Sequence, residues 1–313
     1  MAAPERVRKR LRMKSTGDVE CVFEGICHLG EGPLWNVQEQ KLFWTDIYSR
    51  RIWVHDPGDR TSRVFWEGPH QVGGFAFTPY GGMVLCTDSG VYLLDAREAG
   101  KIDGRPRKLF EIPLEATEGF NDVTVDPAGR MFAGTLRRSS PGGTLYRLEK
   151  DREPVAVLSG VSCSNGMTFS LDERYFFHTD SGIRRITRYA YDRVTGEITS
   201  PTVFFQGTEA QGYPDGITLD SEDHIWVAFW GASVVCRLAP DGGIVQRVEV
   251  PARQPSSVML GGRELKDLYI TSACEGAADL ETGLDADGHF LGGRVYRHRA
   301  QVAGRPEWLA DFD

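Results

Sequence analysis

Six short blocks of this 313-residue chain share one register, and four of them open on a carboxylate or an amide. Glu31 opens Glu-Gly-Pro-Leu-Trp35, Asn121 opens Asn-Asp-Val-Thr-Val125, Asn165 opens Asn-Gly-Met-Thr-Phe169 and Asp215 opens Asp-Gly-Ile-Thr-Leu219. Gly73 and, less clearly, Ser257 open the two remaining blocks. Two carboxylates and two amides at equivalent positions supply oxygen ligands, two of them anionic. Gathered out of water, such a set is costly unless a cation neutralises it. One divalent cation does so directly. The all-oxygen set points to a hard ion such as Ca2+, Mg2+ or Mn2+, Zn2+ and Fe2+ also accept carboxylates, and the residues alone do not choose among them. Glycine is frequent at the second position (Gly32, Gly74, Gly166, Gly216), which is expected to leave room for close approach to the ion. Asp and Asn also serve as strand caps and turn formers, and for any one of these residues that reading is as good. Four at one register favour the metal site.

The elements that must bring them together follow from the spacing, because the blocks recur every 42 to 50 residues. Each continues through a turn such as Asp126-Pro-Ala-Gly129 to a second apolar run, for example Leu42-Phe-Trp44 or Ile225-Trp-Val227. A third run follows (Arg51-Ile-Trp-Val54, Val234-Val-Cys-Arg237), and in most units a fourth (Arg63-Val-Phe-Trp66, Val203-Phe-Phe205). Short runs rich in β-formers, punctuated by Gly, Asp and Pro and without helical periodicity, are strands. Six units of four strands predict an all-β, six-bladed β-propeller with four-stranded blades over residues 19–313. First strands line a propeller's channel, so the shared register converges on the axis. Either Val19–Phe23 or Glu307–Ala310 can supply the last outer strand. The N-terminal one is expected to, since joining the two ends removes exposed sheet edges. Residues 276–292, rich in Gly, Ala and Asp, read as a long loop.

Composition excludes several classes. Residues 1–14 carry six basic groups and one acid, so the rest of the chain bears −13 against −8 overall. An acidic body is a poor partner for a phosphate backbone, and no nucleic acid is expected. Residues 1–18 read as a basic, disordered arm without the apolar stretch of a secretory signal. No apolar run approaches the ~20 residues of a membrane span, so no membrane partner is expected. Six scattered cysteines without CxxC spacing speak against a thiolate zinc site and for free thiols in a reducing cytoplasm. Seven histidines lack HxxxH spacing, and no Gly-x-Ser-x-Gly elbow is present. The acidic surface suits a monomer or a weak dimer.

Leu29-Gly-Glu31-Gly-Pro-Leu-Trp35, Phe120-Asn-Asp122 with Asp126-Pro-Ala-Gly-Arg130 and Phe132-Ala-Gly-Thr135, Ser164-Asn-Gly166 and Tyr213-Pro-Asp-Gly216 stand in one order. In that order and spacing the chain resembles the SMP-30/gluconolactonase-like (regucalcin-like) sugar lactonases from about residue 19 onward. The resemblance implies metal ligation by Glu31, Asn165 and Asp215, and contact of Asn121 with substrate or a metal-bound water, with Asp122 nearby. It also implies hydrolysis of a sugar-acid lactone in carbohydrate catabolism. A cation polarising the lactone carbonyl would stabilise the oxyanion formed by water attack. Asp215 is the candidate general base, with metal-bound hydroxide as the competing account. Asn121 and Asp122 would bind sugar hydroxyls. Regucalcin-like members carry Arg two places before this Asn, where the chain has Gly119; Arg137 or Arg138 are candidates to replace it.

Other features have plainer readings. Asp46, Asp88 and Asp180 end second strands in Thr-Asp pairs and read as turn formers. His70 reads as a satisfied loop histidine, His178 as a second-strand residue away from the axis, and Trp226 and Trp230 as blade core. Two alternatives stand beside the lactonase. One is a related metal-dependent organophosphate or ester hydrolase. The other is a non-enzymatic propeller, either calcium-binding or for protein interaction, and an interaction propeller has no use for Glu31 and Asp215 at its axis.

Overall fold

The computed structural model describes residues 19–112, 119–136 and 142–312. The basic arm, Arg137 and Arg138 lie outside them. Alternating apolar runs become short antiparallel strands, and Asp-led turns fold each run back on the previous one. Asp126 Oδ1, for example, accepts from the backbone N–H of Ala128 and Arg130.

Six four-stranded sheets result, each hydrogen-bonded in meander order, and together they form a six-bladed β-propeller. The innermost strands are Gly30–Asn36 in blade 1, Val72–Phe77 in blade 2 and Phe120–Val125 in blade 3. Blades 4, 5 and 6 begin with Ser164–Phe169, Tyr213–Leu219 and Pro255–Gly261. Blade 6 is completed by Asp267–Ser272, Val295–Arg299 and then Val19–Phe23, with Val19 opposite His298. The N-terminal strand therefore closes the ring, as expected. The long loop between Ser272 and Val295 carries residues 276–292.

The other closure candidate, Glu307–Ala310, joins no sheet. The C-terminal segment instead crosses the propeller face that carries the turns between first and second strands. It is tied to Ser221, Leu265, Phe77 and Gly129 of four different blades by backbone hydrogen bonds of 2.7–2.9 Å. Trp308 and Glu307 thereby reach the end of a cavity of about 60 Å³ inside the channel, which is also lined by Asp122, Thr124, Thr168 and Ser257.

Aromatic and aliphatic side chains fill the wedges between blades, with Trp44, Trp66, Trp226, Tyr269 and Tyr296 essentially inaccessible to solvent. Each contributes roughly 2–3 kcal/mol by burial. All six cysteines are free thiols, as expected. No helix among the described residues is long and apolar enough to cross a membrane.

One expectation changes here. Three of the second-position glycines, Gly74, Gly166 and Gly216, serve contact between blades, whereas Gly32 has room where a Cβ would go and stands at φ +50°. A Cβ on Gly166 would stand 2.5 Å from the Asp215 carbonyl oxygen, and one on Gly216 would stand 1.9 Å from Ser257 Oγ. Inner strands crowd together at the axis, and only hydrogen fits between them.

Candidate metal centre

Every inner strand breaks its pairing register at the height of the shared polar position. The shifts fall between Glu31 and Leu34, Val72 and Gly74, Phe120 and Asp122, Asn165 and Met167, Pro214 and Ile217, and Pro255 and Val258. A bulge leaves a residue unpaired and turns its side chain out of the ordinary alternation. Six bulges at one level make a ring of re-aimed side chains.

The ring is also stitched together. The carbonyl just before the shared position accepts a hydrogen bond from the preceding blade at four of the six joints. Thr45 Oγ1 donates to Val72 O at 2.8 Å, Asn121 Nδ2 to Ser164 O at 2.8 Å, Ser181 Oγ to Pro214 O at 2.6 Å and Ser256 Oγ to Gly30 O at 2.5 Å. These bonds fix the strands from which Asn165, Asp215 and Glu31 project. Thr45, Ser181 and Ser256 went unremarked in the sequence, where hydroxyls beside turns are common. Their only signal is that each belongs to a strand or turn at the same height of its blade.

Glu31, Asn165 and Asp215 are all buried, and Asp122 lines the channel beside them. Asn165 is clamped at both ends. Its Nδ2 donates to Ser181 Oγ at 2.9 Å, and its Oδ1 accepts from Asn121 Nδ2 at 2.7 Å. Ser181 has already given its single proton to Pro214 O, so its oxygen must face the Asn165 amide N–H, and Oδ1 is held on the opposite side. An amide oxygen keeps a second lone pair for a further partner.

The carboxylates are under electrostatic pressure. Burial pushes the Asp122 carboxyl up to about 7, against the pull of a hydrogen bond from the Val123 N–H. Burial, then the neighbouring Asp122, holds Glu31 well above the usual range, partly offset by the Gly32 N–H. Asp215 is raised in the same way by burial, by Glu31 and by Asp122. Among the described residues Asp215 Oδ1 has no hydrogen-bond partner although it is shut off from solvent. Three mutually repelling carboxyls, one with an orphaned buried oxygen, and a fixed amide oxygen are a donor set suited to a divalent cation.

The remaining polar residues sort differently. Asp46 accepts from the N–H groups of His28 and Leu29, and Asp180 from those of Ser162 and Cys163, so both hold the chain entering an inner strand. Among the described residues Asp88 accepts no such backbone bonds, and its Oδ1 lies 3.4 Å from His70 Nδ1. His70 is a partnered loop residue, 3.0 Å from Ser89 Oγ and stacked on Tyr92. His178 is a buried second-strand residue bonded to Ser164 Oγ at 2.8 Å. Trp226 is core and donates to Asp220. Gly119 sits at φ +113°, and a Cβ there would stand 2.7 Å from the Asp88 Cα, so this backbone has no place for the family arginine.

A model of the SMP-30/gluconolactonase/LRE-like region matches residues 29–274. The chain belongs to that family. It is 35% identical to the pentonolactonase XacC of Haloferax volcanii, covering 93% of this chain and 97% of that one. It is also 35% identical to the 6-deoxy-6-sulfogluconolactonase of Pseudomonas putida, covering 93% and 98%. Among solved structures, the regucalcin of Agrobacterium tumefaciens, described as a calcium-binding protein, superimposes with a TM-score of 0.83 at 26% identity, over 92% of this chain and 96% of that one. A luciferin-regenerating enzyme superimposes with a TM-score of 0.84 at 25% identity, over 93% and 98%. SMP-30/gluconolactonase membership thus spans the strands that carry Glu31, Asn121, Asn165 and Asp215.

Proposed function

We propose that this protein hydrolyses the internal ester of a sugar-acid lactone, with one divalent cation, Ca2+ first among the candidates, held by Glu31, Asn165 and Asp215. The observation that carries this reading is the orphaned, buried Asp215 Oδ1 facing the Glu31 and Asp122 charges, in a chain similar to two sugar lactonases. The cation when bound would polarise the lactone carbonyl and stabilise the oxyanion that develops there.

The chain's own residues supply the rest. Asp215, beside the place the cation would take, is the carboxylate positioned to take a proton from the attacking water. As the ring C–O bond breaks, that proton passes to the departing alkoxide, which becomes a hydroxyl of the open-chain acid. Asn121 has both amide protons committed, to Ser164 O and to Asn165 Oδ1, so its own Oδ1 is left to accept from a sugar hydroxyl. Asp122 binds a second hydroxyl from the channel wall. Thr45, Ser181 and Ser256 keep the framework rigid, so no reorganisation is required as charge develops.

The test is a panel of pentono-, hexono- and 6-deoxyhexonolactones assayed with chelator-stripped protein and single ions restored. Hydrolysis that returns with an added ion is expected. No turnover of any lactone with any ion would overturn the reading, and full turnover without added cation would remove the metal from it.

A further inference from the structure

We propose that Arg184 and Tyr213 form an anion-recognising rim at the channel mouth. It selects lactones that bear a carboxylate, phosphate or sulfonate at the end remote from the ester. This rests on the lactone-hydrolysing reading of the site below it.

The Arg184 guanidinium carbon lies 4.1 Å from the centroid of the Tyr213 ring. Its Nε is shut off from solvent and finds no hydrogen-bond partner among the described residues. No carboxylate among them pairs with this guanidinium. An arginine laid on an aromatic face keeps its N–H donors in the plane of the group, matched to the oxygens of a carboxylate, phosphate or sulfonate. The backbone beneath it is fixed from both sides. Arg184 N–H donates to Ser181 O at 2.9 Å, and Arg184 O accepts from Gly207 N–H at 2.8 Å.

Position ties this pair to the centre. Tyr213 precedes Asp215 by two residues in the same inner strand, about 7 Å along it and comparable to the length of a six-carbon lactone. Tyr213 is 40% exposed at the start of its strand, so its ring is open to solvent. Ser181, three residues before Arg184, is the hydroxyl that holds both Asn165 and the Pro214 carbonyl. The positions matching Tyr213 in the other blades are Leu29, Gln71, Gly119, Cys163 and Pro255, none of them cationic, while the hairpin position of Arg184 is Arg50 in blade 1 and Ser233 in blade 5.

The test compares gluconolactone with its 6-phosphate, with glucarolactone and with 6-deoxy-6-sulfogluconolactone, in the wild type and in R184Q, R184K and Y213L. At least one anionic lactone is expected to exceed gluconolactone in kcat/KM by about tenfold, mainly through KM. R184Q should bring that ratio close to one, R184K should retain part of it, and Y213L should lower it. Which anion is preferred separates the three sources. A wild-type ratio near one, or the same ratio in R184Q, would overturn the inference while leaving lactone hydrolysis intact. Should no lactone be turned over, the hydrolytic reading fails. Calorimetric binding of 6-phosphogluconate against gluconate to wild type and R184Q then decides the rim on its own: equal affinities in both proteins sink it.

Discussion

Asn121 and Asn165 are joined across the seam between blades 3 and 4, the Nδ2 of the first donating to the Oδ1 of the second at 2.7 Å. Ser181 grips the other end of the Asn165 amide. Orientation of the amide oxygen therefore depends on a serine that faces no substrate. Ser181→Ala frees the amide to rotate and strands the Pro214 carbonyl. Ion affinity should fall roughly 10- to 100-fold, the scale seen when a ligand loses its outer hydrogen bond. Calorimetric Ca2+ titration of the variant checks this, and wild-type affinity would show that the clamp is dispensable.

Asp215→Asn tests the charge at the centre. A carboxyl raised by burial and by two like charges destabilises the fold once ionised, so removing its charge should stabilise the ion-free protein at pH 7. A cation that binds only the folded state adds stability with concentration, about 2.7 kcal/mol at a hundredfold excess over Kd. Wild-type protein should gain that increment with added ion. The variant should gain little and should lose most lactone turnover. Thermal unfolding with and without Ca2+ measures both effects, and an equal ion-induced gain in the two proteins would contradict the assignment.

How much of this was legible in the sequence depends on what had to be known. Glu31, Asn121, Asn165 and Asp215 stand out because a propeller repeats one register, and that register is the axis. The N-terminal strand was predictable because an open last blade exposes an edge. The bulges that aim the ring were not, since register shifts leave no residue signature. The stitches from Thr45, Ser181 and Ser256 were equally hidden, because a hydroxyl near a turn looks the same whether or not it crosses to the next blade. Gly166 and Gly216 look in the sequence like access to an ion, because nothing there reveals that a neighbouring strand occupies the space where a Cβ would go. Arg184 and Tyr213 are 29 positions apart, and only the fold lays one on the other.

Gly119→Arg restores the residue type that regucalcin-like members carry, yet it should fail to restore a contact. The backbone at φ +113° disfavours any side chain, and the new Cβ would press on the Asp88 Cα, which cannot rotate away. Strain of this kind costs about 1–3 kcal/mol before the clash is counted. Urea unfolding is expected to show a loss of at least that size with no gain in kcat/KM. A variant as stable as wild type would mean that the segment relaxes easily.

His178 gives the protein an acid-sensitive term whose sign is fixed by its burial. Desolvation lowers the imidazole to about 4, while in the unfolded chain it titrates near 6.5. Between those values the unfolded state holds a proton that the folded state does not, so this residue's contribution falls as pH drops below about 6.5 and levels off below about 4. The integrated loss is roughly 3 kcal/mol at 1.36 kcal/mol per pH unit. Asp122 works in the opposite direction over much of the same range. Its carboxyl, raised to about 7, takes up a proton in the folded state first, so its contribution to stability grows as pH falls from about 7 to about 4. Glu31 and Asp215, also held above the ordinary carboxylate range, act in the same direction as Asp122, so the histidine shows only in a difference. His178→Gln keeps a nitrogen near Ser164 Oγ and removes the titration. Urea unfolding of both proteins from pH 7 to pH 4 should give a stability gap that shifts by roughly 3 kcal/mol in favour of the variant. A gap that stays constant across that range would mean that His178 is protonated equally in the folded and unfolded chains.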